Sequence, residues 1–400
     1  MLSTPKSERL HIAFFGRTNV GKSSIINFIA NQDIAIVSNI SGTTTDSVEK
    51  TMELQPVGPV VLIDTAGFDD GSSLAHERQK KTDAVFLKTD FACLVVEPNI
   101  WTQYEDSIIE KLNAFNIKFA IIINKIDTEK PKSPFAYSLF QKTKNVLYLS
   151  TTTSDRSAFL NELTTIIKLN VVTTSNEISM FDGLINPNDV CILVTPIDTG
   201  TPKGRMILPQ VQALRTLLDK NAIATFVQLE QYKSVISSLK SPPKIVVTDS
   251  QVIKEVIELS DSNQPITTFS ILLARLKGNF KIELEGVQKL NSLQPDDTIL
   301  IAEACSHHAQ KDDIARVKIP LLLEKYLGFK PNIDYSNGKD FPEDLSNYHC
   351  IIHCGACMLT QKEKLNRIQI AQQQHIPITN FGMTLAFCKG YLNRAVSIFL

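Results

Sequence analysis

The chain has no charge excess of either sign: Lys plus Arg number 41 against 42 for Asp plus Glu, a formal charge of -1. Without a general positive field, nothing draws it broadly to nucleic acid or to an anionic membrane surface. Long apolar runs are also missing, since no stretch approaches the roughly 20 residues that span a bilayer. Met1-Leu2-Ser3-Thr4-Pro5-Lys6-Ser7-Glu8-Arg9 is polar and leads straight into an apolar run, so it does not read as a signal peptide. Cysteine is sparse, seven residues in 400, and with no secretory context these read as reduced thiols in a cytoplasm. Nucleic-acid binding, membrane insertion and a disulfide framework are thereby set aside.

What is present is length and order. A chain of 400 residues exceeds what one core usually serves, so two or three domains are expected. The fold class read from the sequence is α/β: a P-loop domain over residues 1–170, a middle α/β domain over 171–265 and a third over 266–400, both with parallel sheets. In the first, His11–Phe15, Val60–Asp64, Ala92–Glu97, Ala120–Asn124 and Val146–Ser150 read as buried parallel strands. Val171–Asn188, polar and rich in turn formers, reads as a linker. The middle unit has strands near Val190–Thr195, Ala222–Gln228 and Lys244–Thr248. Its small size points to self-association, a homodimer through the middle domain. The third has strands at Thr298–Ala304, His349–His353 and Ile376–Asn380.

Gly16-Arg17-Thr18-Asn19-Val20-Gly21-Lys22-Ser23 follows a strand and opens a helix, the context that makes G-x-x-x-x-G-K-S a phosphate-binding loop. Gly16, Val20, Gly21 and the first helical residues, Ser24 included, present backbone N–H groups to phosphate; Lys22 neutralises the outer phosphates, and the Ser23 hydroxyl suits Mg²⁺. Asp64-Thr65-Ala66-Gly67 ends a strand, placing Asp64 for the magnesium shell and the Gly67 amide near the terminal phosphate. Asn124-Lys125-Ile126-Asp127 ends another. Its aspartate can accept from the N1 and N2 donors of guanine, which adenine lacks, so GTP and GDP are the expected ligands. Ser150 and Thr151, after the next strand, occupy a guanine-supporting loop.

Toward the other end, Cys305-Ser306-His307-His308 is answered by His353-Cys354-Gly355-Ala356-Cys357. Cys305 and Cys354 each follow a strand, and in an open parallel sheet those carboxyl ends face the ligand crevice. The C-x-x-C spacing lets one tight turn aim two sulfurs at one site. Cys350, four residues upstream within a strand, and Cys93, Cys191 and Cys388 read as packing residues. Three thiolates can hold three irons of a [4Fe-4S] cluster. The same three with His307 or His353 would alternatively close a Cys₃His zinc site.

Residues 11 to about 168 resemble the GTPases of the Era and tRNA-modification branch, with Gly42-Thr43-Thr44-Thr45-Asp46 similar to that branch's first switch. The likeness implies Thr44 as a magnesium ligand, with Thr43 or Thr45 as the alternative. It implies Asn19 as a potassium ligand and catalytic roles for Lys22, Asn19, Thr44 and Gly67. Phe68, after Gly67, stands where other GTPases carry a catalytic Gln. The C-x-H and H-C-x-x-C pattern behind such a domain resembles the HydF family, GTPase scaffolds of [FeFe]-hydrogenase maturation; Thr195–Arg205 and Pro377–Gly382 are also similar to it. That resemblance implies a [4Fe-4S] cluster on Cys305, Cys354 and Cys357, with His307 and His353 in cluster or precursor binding. It implies a diiron subcluster precursor as cargo, received from the radical-SAM maturases HydE and HydG and passed to the apo-hydrogenase HydA. The reading from another class is a ribosome- or tRNA-associated GTPase with a structural zinc module.

Overall fold

The structure is a computed structural model and describes residues 4–30, 48–65, 84–172, 179–197, 206–304, 313–338 and 340–400. The chain divides into two compact units, Met1–Asn176 and Glu177–Leu400.

The first unit is built on a six-stranded sheet, with β1 (Leu10–Phe15), β2 (Val48–Leu54), β3 (Gly58–Asp64), β4 (Phe91–Val96), β5 (Lys118–Ile123) and β6 (Val146–Tyr148) in the order β2-β3-β1-β4-β5-β6. All neighbours are parallel except β2 and β3, which run antiparallel from Val48↔Asp64 to Leu54↔Gly58. Successive side chains of β1 point to opposite faces, as the pleat requires. Ile12 and Phe14 join one core with Leu62, Val95 and Ile122, while Ala13 and Phe15 join the other with Ile63, Leu94 and Ile123. Burial on both faces explains why these strands read as unbroken apolar runs. The antiparallel edge strand escaped the sequence reading because it is polar: of Val48-Glu49-Lys50-Thr51-Met52-Glu53-Leu54 only Leu54 is buried.

The second unit carries two four-stranded parallel sheets. One has the order β10-β9-β7-β8, from β7 (Val190–Val194), β8 (Ile223–Val227), β9 (Ile245–Thr248) and β10 (Ile266–Thr268). The other is β12-β11-β13-β14, from β11 (Thr298–Glu303), β12 (Asn332–Asn337), β13 (Cys350–His353) and β14 (Ile378–Asn380). The helix Phe269–Lys277 follows β10 directly, its first turn capped by the Thr268 hydroxyl accepting from the Ile271 amide. Leu272 and Leu273 pack into the core of the first of these sheets, and Ile271 and Ala274 into that of the second. One helix thus serves two cores.

The segment read as a linker is partly core. Residues 173–178 lie outside the description, but Met180, Phe181 and Ile185 are buried against Leu193, Leu217 and Phe269. Burying each such side chain stabilises by about 2 kcal/mol, which outweighs the turn-forming composition around it. The Met180 and Asp182 carbonyls also accept hydrogen bonds from the Arg275 guanidinium.

In the sheet β12-β11-β13-β14 the chain first moves from β11 out to β12 and then returns past β11 to β13, so the topology reverses between β11 and β13. Ala302 and His353 are partners in that pairing. A crevice outside the strand ends is expected at such a reversal. Cys354 follows β13 there, and Ala304, the last described residue before Cys305, directly follows β11.

Candidate functional site

The first site forms at the carboxyl ends of β1, β3 and β5. The loop after β1 contains two glycines at positive φ, and space as well as conformation requires them: a Cβ on Gly16 would lie 2.5 Å from the Val95 carbonyl oxygen, and one on Gly21 2.3 Å from Asn124 Nδ2. Asn19 also has positive φ, a conformation that asparagine tolerates. Lys22 is buried and its Nζ donates to the carbonyls of Gly16 and Arg17, 2.8 Å each, so the ammonium lies within the loop. Ser23, one residue on, donates its hydroxyl to Asp64 at the end of β3. Burial raises the Asp64 carboxyl above its ordinary value, opposed by the Ser23 hydrogen bond and by the charges of Lys22 and Lys50. A hydroxyl and a carboxylate converging beside a cradle of backbone N–H groups is a donor set that fits Mg²⁺ and phosphate.

Asn124 binds the two halves of this site together. It is buried, and its Nδ2 donates to the Val20 carbonyl at 2.9 Å. Lys125, at positive φ, reaches back 2.7 Å to the Asn19 carbonyl and 2.6 Å to Glu97. Asp127 is open to solvent and accepts from the Thr152 hydroxyl at 3.2 Å. Hydrogen bonding from Ser150, then from its own backbone and Thr152, holds its carboxyl below the ordinary range. Ser150 is itself buried and shares a 2.8 Å hydrogen bond with Thr152. Lys22, Ser23, Asp64, Asn124, Lys125, Asp127 and Ser150 are therefore brought together at these strand ends. Thr44 and Gly67 lie outside the described residues. Glu97, which anchors Lys125, belongs to no motif; its position one residue past an apolar strand was the only signal.

The second site lies at the ends of β11 and β13. The Cys354 amide donates to the Ala302 carbonyl at 2.8 Å, and in return the Ala304 amide lies 3.1 Å from Cys354 Sγ. Ala356, in the left-handed region, makes the tight turn between the two cysteines, and Leu359 closes over it. Burial raises both thiols. For Cys354 the Ala356 and Ala304 amides and the charges of Lys364 and Arg367 act against that rise; for Cys357 the neighbouring Cys354 adds to it and Lys277 opposes it. N–H donors and cations gathered on buried sulfurs favour thiolate, the ligand form of cysteine, so the residues present fit a thiolate-bound cluster. Cys305 and His307 lie outside the description, and among the described residues no three His, Cys, Asp or Glu side chains group as metal ligands.

His353 is fully buried. Its Nδ1 lies 2.8 Å from the Cys354 carbonyl and its Nε2 3.0 Å from Arg367 Nη1. Burial, with Lys364 and Arg367 nearby, lowers its pKa well below the ordinary value, so the ring is neutral. Cys93 and Cys350 are fully buried, with the Cys350 thiol pushed up to about 12 by burial, as expected of packing cysteines.

Family models match three stretches of the chain. Residues 11–125 match the model described as 50S ribosome-binding GTPase, residues 180–278 the hydrogen maturase F dimerization domain, and residues 281–398 the hydrogen maturase F tetramerization domain. The chain belongs to the hydrogen maturase F family. Its amino-terminal unit is a GTPase domain, followed by the dimerization and tetramerization domains of that family. GTPase Der of Clostridium perfringens is 34% identical over 150 residues, 35% of this chain and 34% of that protein. The tRNA modification GTPase MnmE of Moorella thermoacetica is 42% identical over 126 residues, 30% of this chain and 26% of that protein. The chain thus spans between about a quarter and a third of the length of these relatives. Among solved structures, Era in complex with MgGDPNP and a 16S ribosomal RNA segment aligns with a TM-score of 0.35 at 20% identity, over 42% of this chain and 58% of that one.

No helix among the described residues is long and apolar enough to cross a membrane. The residues that sequence reasoning missed surround the Cys354–Cys357 turn: Lys277, Glu283, Lys364, Arg367 and Asn380, all buried. Gln361-Lys362-Glu363-Lys364-Leu365-Asn366-Arg367 reads as a solvated helix face. The signal it did carry was two cations three residues apart, hence on one helix face, directly after the cysteines.

Proposed function

We propose that this chain is a GTP-hydrolysing scaffold and carrier that holds a [4Fe-4S] cluster on Cys305, Cys354 and Cys357 and passes a diiron subcluster precursor to apo-[FeFe]-hydrogenase. The observation that carries the reading is the C-x-x-C turn opening from β13 at the topological reversal beside β11, in a chain whose last two domains match hydrogen maturase F. Cys305 directly follows Ala304, whose amide lies 3.1 Å from Cys354 Sγ, and that adjacency in sequence supports a third sulfur at the same site.

Asp127 and the Ser150–Thr151 loop select guanine, Lys22 and the loop amides hold the phosphates, and Ser23, Asp64 and Thr44 take the magnesium ion. Asn19 is the proposed potassium ligand, and the Gly67 amide is the proposed donor to the terminal phosphate. With Phe68 in place of a water-orienting side chain, hydrolysis is expected to depend on added positive charge. Turnover in potassium should exceed turnover in sodium, and equal rates would remove Asn19 from that role. The cluster, when bound, supplies one iron that no thiolate fills. The proposed partners are HydE and HydG as donors and HydA as acceptor, with the chain itself dimeric through its middle domain.

Anaerobic purification tests the reading directly. A brown protein with about four irons per chain is expected. A colourless protein with one tightly held zinc would replace the scaffold with a GTPase carrying a Cys₃His structural site. Cys305→Ala should empty the site of iron and leave GTP turnover intact, while Lys22→Ala should do the reverse.

A further inference from the structure

The turn that carries Asp127 is held at both flanks by one short segment, Glu97-Pro98-Asn99, which leaves the end of β4. Before Asp127, Lys125 Nζ lies 2.6 Å from Glu97 Oε1. After it, Asn99 Nδ2 donates to Glu129 Oε1 at 2.5 Å and to the Lys130 carbonyl at 3.2 Å, and Asn99 Oδ1 accepts from the Lys132 amide at 2.8 Å. Both ends of the Asn99 carboxamide are engaged, which fixes its orientation. Glu97 is steadied in turn from the phosphate loop. Its Oε2 faces Arg17 Nη2 at 3.8 Å, and Arg17 Nε donates at 2.8 Å to Glu105, which is fully enclosed. The other Glu105 oxygen accepts from the amide and hydroxyl of Thr102, closing the capping box of the helix Gln103–Ala114.

Among the described residues, other support for this turn is thin. The Asn124 amide and side chain, bonded to the Val96 and Val20 carbonyls, fix the chain as far as residue 124. Beyond it the backbone bonds inward, with the Thr128 and Glu129 amides donating to the Lys125 carbonyl at 3.0 and 3.4 Å. Toward the neighbouring strand, Ile126 donates to the Leu149 carbonyl at 3.4 Å, and the Thr152 hydroxyl reaches Asp127 at 3.2 Å. Reading guanine requires both Asp127 oxygens to line up with the N1 and N2 donors at once, and hydrogen bonds weaken steeply off line. A turn free to tilt keeps one of those bonds and loses the other.

We propose that Glu97 and Asn99 clamp the Asp127 turn and so set how strongly the protein prefers guanine to a base without the N2 amino group. Both are positioning residues, Glu97 acting through Lys125 and Asn99 through residues 129–132. The inference rests on the reading of Asp127 as the guanine acceptor and goes beyond it, placing part of the specificity in a segment that belongs to no nucleotide-binding motif.

The test compares affinity for GTP and for inosine triphosphate, which keeps the N1 donor and lacks the N2 amino group, by displacement of a fluorescent GDP analogue from the full chain in magnesium buffer. Wild type should favour GTP on the order of tenfold or more, the contribution of one charge-assisted hydrogen bond. In Glu97→Gln and in Asn99→Gly that preference should fall about fivefold, a coupling usual within one hydrogen-bond network. Glycine keeps the backbone that Asn99 adopts at φ +61°, so the second variant removes the carboxamide alone. A merely structural role, or a partly unfolded preparation, weakens both nucleotides alike and leaves the ratio at the wild-type value. A fall in both variants supports the clamp, and an unchanged or raised ratio in either overturns it. If one variant is not recovered folded, the other decides. A wild type that binds the two nucleotides equally would sink the reading of Asp127 and the clamp with it, whereas a preference kept by wild type and both variants overturns the clamp and leaves that reading standing.

Discussion

Arg367 Nη1 lies 3.0 Å from His353 Nε2, and the other nitrogen of that ring lies 2.8 Å from the carbonyl oxygen of Cys354. A guanidinium can only donate, so Nε2 accepts and Nδ1 carries the ring proton toward Cys354. Both ring nitrogens are therefore committed to bracing the cysteine turn. Replacing His353 with Ala strands a buried guanidinium over a void, and the second unit of the iron-free protein should lose about 2–3 kcal/mol. Urea unfolding followed by circular dichroism reports it, with fluorescence of the single Trp, Trp101, marking the amino-terminal unit. Unchanged stability without iron, combined with loss of iron binding, would instead make His353 a ligand.

Gly21 and Asn124 meet so closely that they define one another. A methyl group at Gly21 would sit 2.3 Å from Asn124 Nδ2, on a backbone at φ +96°. Gly21→Ala must displace the amide that fastens Asn124 to the Val20 carbonyl, and with it the phosphate loop. GTP affinity should fall at least tenfold, about 1.4 kcal/mol. Gly58→Ala is the control: it has φ +108° but nothing within 4 Å of the added carbon, so it should cost stability without changing nucleotide affinity. Titration with a fluorescent GTP analogue separates the two, and equal effects would show that backbone strain alone is responsible.

The phosphate loop, the Asn124–Asp127 motif and the C-x-x-C turn were legible because each couples fixed residue types to a strand end. Buried parallel strands were legible for the same reason that they are buried, an unbroken apolar run. The edge strand Val48–Leu54 was not, since its partner on one side only leaves its side chains polar. Lys364 and Arg367 were not legible either. A cation is normally read as solvated, and only the fold shows that this helix turns its charged face inward toward Glu283 and His353. Met180 and Phe181 were hidden by neighbours that favour turns.

Asp127 should decide the base. Its carboxylate is solvent-facing, fixed by Ser150 and Thr152, and so presents two acceptors to a ligand arriving from solution. Asp127→Asn replaces one acceptor with a donor that opposes the guanine N2 amino group. With charge-assisted hydrogen bonds contributing about 1.5–3 kcal/mol each, GTP binding should weaken on the order of 100-fold. Xanthosine triphosphate, whose C2 oxygen accepts, should gain what GTP loses. If affinity for both falls together, Asp127 supports the loop and does not read the base.

Glu49 ties the edge strand to the rest of the first unit. Burial pushes its carboxyl upward, but the ion pair with Lys88 and a 2.9 Å contact with Lys6 prevail, and its pKa falls from an ordinary 4.5 to about 2. A carboxyl lowered in the folded state contributes stability that is complete above about pH 4.5 and disappears as pH falls toward 2. Lys88 is nearly buried, at 7% side-chain exposure, whereas Lys6 is at 60%, so most of the effect belongs to Lys88. Lys88→Met should therefore destabilise the first unit by about 2 kcal/mol at pH 7, less than the full shift implies because Glu49 keeps some solvent contact. The gap between variant and wild type should shrink between pH 4.5 and pH 2, because a protonated Glu49 gains little from a lysine. Urea midpoints read by Trp101 fluorescence at pH 7, 4 and 2.5 measure it. A gap that stays constant would mean that the Lys88 methylenes, and not its charge, hold the strand.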